Sequence, residues 1–197
     1  MLNGHFRWIA ARHDWGVWDE FVVVLAVVFM FVFLLRSRES LRKEKDPDPK
    51  QYIKVFNLAF YSQGMEVTGD AIQTADEVVL MQGHSKTDPN GQVSIANAFE
   101  APGSAFCLVG LFKHAQQLNP GLFANPESFL LTLSNGKVLH RDVMAKNLSE
   151  AAEALGAPAG AALVISLRAG GAAHVGPRHV LRGHYAAWTA DLQLLSG

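Results

Sequence analysis

The sequence predicts a single N-terminal transmembrane helix followed by an α+β soluble domain. Residues 21–35 read FVVVLAVVFMFVFLL, an unbroken apolar run, and the rest of the 197-residue chain mixes short apolar stretches, turn signals and helical stretches. With 49% apolar residues and a net charge of -1, the part after the run suffices for one compact domain and argues against nucleic acid as the main partner.

The predicted transmembrane helix spans 15–35. A helix restricted to the apolar run covers about 22 Å of a hydrocarbon core of roughly 30 Å, which is short for a span. Starting the helix at Trp15 lengthens it to about 31 Å and makes Trp15 and Trp18 membrane-interface residues. Residues 1–14 then form a short head, either an interfacial helix or an unstructured segment.

An acidic pair, Asp19 and Glu20, stands directly before the apolar run. Ionisable residues at the edge of a bilayer are costly and usually face a partner or a water path, which makes the pair a functional candidate. A simpler interpretation places both carboxylates among lipid head groups, where they favour the positive end of the helix dipole. The residues alone leave both interpretations open.

The flanks of the run bear on processing and orientation. A cleaved signal peptide fits poorly, because RSRESLRKEK follows the run in place of a small-residue cleavage site. Lys and Arg are far more frequent after the run than before it, which by the positive-inside rule places the C-terminal part in the cytoplasm. We therefore predict an uncleaved anchor.

Residues 36–50 are predicted to be a charged linker and 51–197 the α+β domain. The linker ends in Asp46-Pro47-Asp48-Pro49, and each proline disfavours helix at the preceding residue. From 52 to 133 the pattern is mainly that of strands, including DEVVLM, QVSIANAF and SAFCLVGLF. Turn residues separate these runs.

The last part of the chain, 126–197, alternates strands and helices. SFLLTL, SNGK and KVLHRDV predict a hairpin, and Asn147 is expected to cap a helix that ends at Gly156. AALVISLR then predicts a strand, and PRHVLRGHYAAW a further helix.

No catalytic, metal or cofactor motif is predicted, and we expect a protein that is not an enzyme. Residues 140–147 match the kinase pattern HRDxxxxN, but the glycine-rich loop, strand lysine and DFG motif that a kinase needs are missing. The C-terminal histidines lack the spacing of metal ligands. Cys107, the only cysteine, is expected to be a buried small hydrophobe.

An acidic residue at the mouth of one span, an aromatic-rich apolar run, a charged linker and a modest α+β domain together resemble the ExbD/TolR/MotB family of ion-driven motor subunits. Residues 18–25, WDEFVVVL, are similar to the family's acid and helix. Residues 126–197 resemble the ExbD hairpin-helix-strand-helix end, whereas 65–125 exceed that pattern and suggest a β-rich insertion.

The resemblance implies a function and a set of partners. Asp19, with Glu20 as the alternative, would carry a proton or sodium ion. A homodimer of this chain would lie inside a ring of polytopic ExbB/TolQ/MotA-like subunits. It also implies the bacterial inner membrane, with the C-terminal domain in the periplasm and contacting a target protein. The count of basic residues gives the opposite orientation.

A second hypothesis is a membrane-anchored binding or scaffold subunit whose helix is only a tether. The coupled ion and the process, whether envelope transport, motility or phage defence, stay open on the sequence.

Overall fold

The computed structural model describes residues 2–35, 37–43, 52–82, 94–104 and 106–156, which divide into two compact units. The first unit contains the described residues up to Ile53 and those from Ser128 onward, and the second contains those from Lys54 to Glu127. The chain therefore leaves the first unit and returns to it, so that the second unit is an insertion between two parts of the first.

The first unit begins with helix α1 (Leu2–Arg12) and helix α2 (Trp18–Val32). A turn separates them, in which the Asp14 Oδ1 atom accepts a hydrogen bond from the Gly16 N–H at 2.8 Å, and Val17 is extended. After Val32 the chain turns through Leu34, whose φ angle is 54°. These two turns limit α2 to fifteen residues.

The predicted transmembrane helix at 15–35, and with it the predicted fold class, is therefore wrong. In the part of the chain that the structure describes, no helix combines the length and the hydropathy that crossing a bilayer requires. Every residue from Phe21 to Phe31 is instead buried within the folded chain. A helix that is apolar on all sides suits a protein core as well as a bilayer, which is why the pattern misled the prediction.

Helix α1 covers part of α2. Phe6 and Ile9 are 2% and 1% exposed, and the Phe6 ring meets the Phe31 ring edge-on with centroids 5.0 Å apart. Helix α1 also packs against α6 (Arg141–Ala154). The residues predicted as a short head thus belong to the core of the first unit.

Helix α6 buries one face, formed by Met144, Leu148, Ala151 and Ala152. It begins earlier than predicted, because its N-cap is His140 and Asn147 lies inside it. Its last residue is Ala154, and Gly156 stops it as predicted, with a φ angle of 76°. After α2, the chain forms the short helix α3 (Ser37–Ser40).

The second unit is built on a four-stranded antiparallel sheet with the order β2-β1-β3-β4. The strands are β1 (Leu58–Ser62), β2 (Met65–Val67), β3 (Glu77–Gln82) and β4 (Ser94–Phe99). The run DEVVLM forms β3 as predicted, and the described part of QVSIANAF, from Ser94 to Phe99, forms β4. Phe60 and Val78, which pair across β1 and β3, are both buried.

Helices α4 (Leu108–Leu118) and α5 (Pro120–Ala124) complete the second unit. The prediction of a strand at SAFCLVGLF is wrong, since Leu108, Leu111 and Phe112 are buried along one face of α4. Cys107 is buried as predicted, and its Sγ atom caps α4 by accepting a hydrogen bond from the Gly110 N–H.

The described chain is thus an α+β fold with one antiparallel sheet. The predicted strand and helix after residue 156 lie outside the described residues.

Candidate functional site

The two predicted ion carriers occupy the first turn of α2 but face different neighbours. The Asp19 carboxylate accepts hydrogen bonds from the Ser134 N–H at 2.6 Å and from the Ser134 Oγ at 2.7 Å. The Glu20 carboxylate accepts one from the Asp14 N–H at 2.7 Å, and its Oε2 lies 3.7 Å from the His13 Nδ1. Both stabilise local structure at the positive end of the helix dipole. Their role as ion carriers stays a prediction.

The two predicted membrane-interface residues also bond within the first unit. The Trp18 Nε1 donates to the Thr132 carbonyl oxygen at 2.8 Å, and the Trp15 Nε1 donates to that of Ala10 at 3.0 Å. Both rings lie near Phe21, with centroids 6.2 Å and 6.0 Å away. Their placement at a membrane interface stays a prediction.

Trp18 and Asp19 both reach a hairpin, which we define as residues 132–138. Thr132 and Val138 pair across it, and the Leu133 N–H donates to the Lys137 carbonyl oxygen at 2.8 Å. Gly136 has a φ angle of 78°, which its lack of a Cβ allows, as the Asn-Gly signal predicts. The predicted turn at SNGK is therefore confirmed, although only single bridges flank it.

A distant segment lies beside the end of this hairpin. Arg42 pairs in parallel with His140, because the Arg42 N–H donates to the Leu139 carbonyl oxygen and the Arg141 N–H donates to that of Arg42, both at 2.9 Å. Arg42 was predicted to be part of a linker. The bridge places it instead at the N-terminus of α6.

The hairpin, Arg42 and the first turn of α6 enclose an open cleft of about 300 Å³, which we call the basic cleft. Its charged lining residues are Arg42, Lys137 and Asp142, and the Asp142 side chain is 83% exposed. Within the described parts of the chain, neither the Arg42 guanidinium nor the Lys137 ammonium forms an ion pair. The full lining consists of Arg42, Leu133, Asn135, Lys137, Val138, His140, Asp142 and Val143.

His140 contributes the only imidazole ring in this lining, and its side chain is 23% exposed. Its Nδ1 accepts a hydrogen bond from the Asp142 N–H at 3.2 Å, so in the neutral ring the proton is on Nε2. That Nε2 is buried and has no hydrogen-bond partner among the described residues. A buried donor without a partner costs about 1–3 kcal/mol.

These groups can bind but offer little for covalent chemistry. A guanidinium, an ammonium, an amide and an imidazole N–H are hydrogen-bond donors suited to an oxyanion. The described lining contains no Ser, Thr or Cys that could act as a nucleophile. Among the described residues, no three His, Cys, Asp or Glu side chains come together as a metal site.

Sequence reasoning missed this cleft although it singled out several of its members. Residues 140–142 match the start of the kinase pattern HRDxxxxN, and Asn135 belongs to the predicted turn SNGK. The association with Arg42 had no local signal, because the two segments are far apart in sequence and pair only through a single bridge.

Comparisons with models of protein families, with characterised proteins and with solved structures found no match to this chain. The resemblance to the ExbD/TolR/MotB family, the partners it implies and the membrane location stay predictions.

Proposed function

We propose that the chain is a binding module and that its basic cleft takes an anionic oxygen group, phosphoryl or carboxylate, of a ligand. The observation that carries the proposal is the pair of cations in the lining, Arg42 and Lys137, neither of which forms an ion pair among the described residues. The proposal shares only the binding role with the second hypothesis, a membrane-anchored binding or scaffold subunit, and that hypothesis stays a prediction. The ion-motor function stays a prediction, because no observation on the described residues bears on ion transport.

The balance of charge in the cleft favours an anion. Arg42 is half-buried, so its attraction for a ligand is screened less than that of a fully hydrated charge. Asp142 opposes it but projects into solvent, where water weakens its repulsion. The positive end of the α6 dipole lies at the same place and adds to the attraction.

A small anion tests the proposal directly. We expect inorganic phosphate or acetate to bind the full chain with a dissociation constant of about 1 mM, since a few exposed contacts supply only about 4 kcal/mol. In a ¹⁵N NMR titration, the amide signals of Asn135, Lys137 and Asp142 should shift. Comparing the two anions tells whether the cleft favours phosphoryl or carboxylate oxygen.

Variants connect the binding to the cleft. Replacing both Arg42 and Lys137 by Gln should weaken binding at least about tenfold, because charge-assisted hydrogen bonds are the strong ones. Lys146→Gln is the matched control, since Lys146 is 76% exposed on α6, pairs with Glu150 and does not line the cleft. Equal affinity in the double variant and the wild type would show that the anion binds elsewhere.

A further inference from the structure

The hairpin that supplies Asn135 and Lys137 to the basic cleft is bonded to the start of α2. Trp18 donates to the Thr132 carbonyl oxygen at 2.8 Å. Asp19 accepts from the N–H and from the hydroxyl of Ser134 at 2.6 and 2.7 Å. Both carboxylate oxygens of Asp19 are therefore used on one residue of the hairpin.

The start of α2 is a firm support for these bonds. The helix that follows Asp19 is buried from Phe21 to Phe31, so its first turn cannot shift without disturbing the core. Ser134 is exposed and directly precedes Asn135. The two arms of the hairpin pair through an isolated β-bridge between Thr132 and Val138. The hairpin has backbone hydrogen bonds of its own, in which the Leu133 N–H donates to the Lys137 carbonyl oxygen and the Gly136 N–H donates to that of Leu133, and the Asp19 carboxylate joins this hairpin to α2.

We propose that Asp19 is a positioning residue of the basic cleft. It does not line the cleft. It holds Ser134, and through Ser134 it keeps Asn135 and Lys137 beside Arg42 and His140 in the arrangement that binds an anion. The inference rests on the proposed function of the cleft, and it assigns to Asp19 a task in ligand binding.

The sign of one substitution separates this role from simple electrostatics. Asp19→Asn removes a negative charge near a cationic cleft, so electrostatics alone would strengthen anion binding. Loss of positioning would weaken it instead, because the hairpin must then be ordered when the ligand binds. A purely structural role would lower the stability of the fold and leave the affinity of the folded protein unchanged.

The experiment measures the dissociation constant of inorganic phosphate for the full chain by NMR, at a temperature where each variant is folded. We expect Asp19→Asn and Ser134→Ala each to weaken binding about threefold to tenfold. Ser134→Thr, which keeps the hydroxyl donor, should bind like the wild type. The double variant Asp19→Asn/Ser134→Ala should bind no more weakly than the worse single variant, because both changes weaken the same pair of hydrogen bonds, of which Ser134→Ala removes the one from the hydroxyl and keeps the one from the backbone N–H.

Asp142→Asn serves as the charge control. It removes a carboxylate that lines the cleft and should therefore strengthen binding, in the opposite direction to Asp19→Asn. Unchanged or stronger binding by Asp19→Asn and Ser134→Ala would overturn the inference alone. A wild-type chain that binds neither phosphate nor acetate would overturn the proposed function and the inference with it. Ser134→Ala removes only an exposed hydroxyl, so it provides a folded variant in either case.

Discussion

Trp18 shows at the scale of a residue how the first unit joins distant parts of the chain. Its indole N–H donates to a carbonyl oxygen 114 positions away. The sequence singles out Trp18 and Asp19 because they stand before an apolar run, and in the structure both form hydrogen bonds with the hairpin. Their partners, Thr132 and Ser134, carry no local signal that points back to them. A sequence pattern identifies such a residue far more readily than it identifies what the residue contacts.

Replacing Trp18 by Phe should lower the free energy of unfolding by about 1 kcal/mol, because the Thr132 carbonyl oxygen loses its donor while a ring remains. Urea unfolding followed by circular dichroism measures the change. Trp8→Phe is the matched control, since Trp8 lies under the Arg12 guanidinium at 4.5 Å and a Phe ring keeps that stacking. The prediction fails if the two variants lose equal stability.

Helix α2 shows the same limit at the scale of an element. The run from Phe21 to Leu35 identifies a strongly apolar helix, and a helix is what forms. The pattern does not distinguish a helix in a bilayer from a helix in a protein core, because lipid tails and a protein core favour the same apolar side chains. The turns at Asp14–Val17 and at Leu34 decide its length, and neither has a strong signature in the sequence.

Leu25 tests the place of α2 in the core. It is fully buried, so Leu25→Ala should lower the free energy of unfolding by about 2–5 kcal/mol through lost burial and the cavity left behind. Leu155→Ala makes the same chemical change at a side chain that is 48% exposed, and it should cost about 1 kcal/mol or less. Chemical denaturation of both variants gives the comparison, and a cost at Leu25 no larger than that at Leu155 would contradict it.

The remaining helices and strands are predicted correctly where the sequence carries a clear pattern and wrongly where the pattern is ambiguous. Short apolar runs bounded by turn residues predict β3 and β4, and both strands form, with Val78 and Leu80 of β3 and Ala98 of β4 buried. The run SAFCLVGLF is too short and too apolar for its period to separate strand from helix. The N-cap of helix α6 is His140, which is not among the preferred capping residues. The sequence pattern therefore points to Asn147, a preferred capping residue that lies inside the helix.

At the scale of the whole molecule, the described part of the second unit is inserted, in sequence, between two parts of the first unit, and the two ends of this insertion lie together. Lys54 and Glu127 form an ion pair at 2.7 Å, and the Phe56 N–H donates to the Pro126 carbonyl oxygen at 2.9 Å. The sequence predicts an inserted β-rich module at 65–125 only through the family resemblance. The structure divides the chain near that place on contacts alone.

The described part of the second unit has a core of its own. The rings of Phe60, Phe112 and Phe123 meet in pairs, with centroids 5.5 to 6.5 Å apart and edge-to-face geometry. These rings join the sheet to α4 and α5, and Phe112 is fully buried. Together with the paired ends, this core supplies what independent folding requires.

We therefore expect residues 54–127, expressed alone, to fold. A domain of this size is marginally stable, so its free energy of unfolding should be about 3–5 kcal/mol or less. Dispersed amide signals in a ¹⁵N NMR spectrum and a cooperative urea transition would demonstrate folding. Phe112→Ala in the same fragment should cost about 3–5 kcal/mol and abolish the transition, whereas Phe56→Ala, at a side chain that is 49% exposed, should retain it. A wild-type fragment with collapsed amide dispersion would show that the second unit depends on the rest of the chain for its fold.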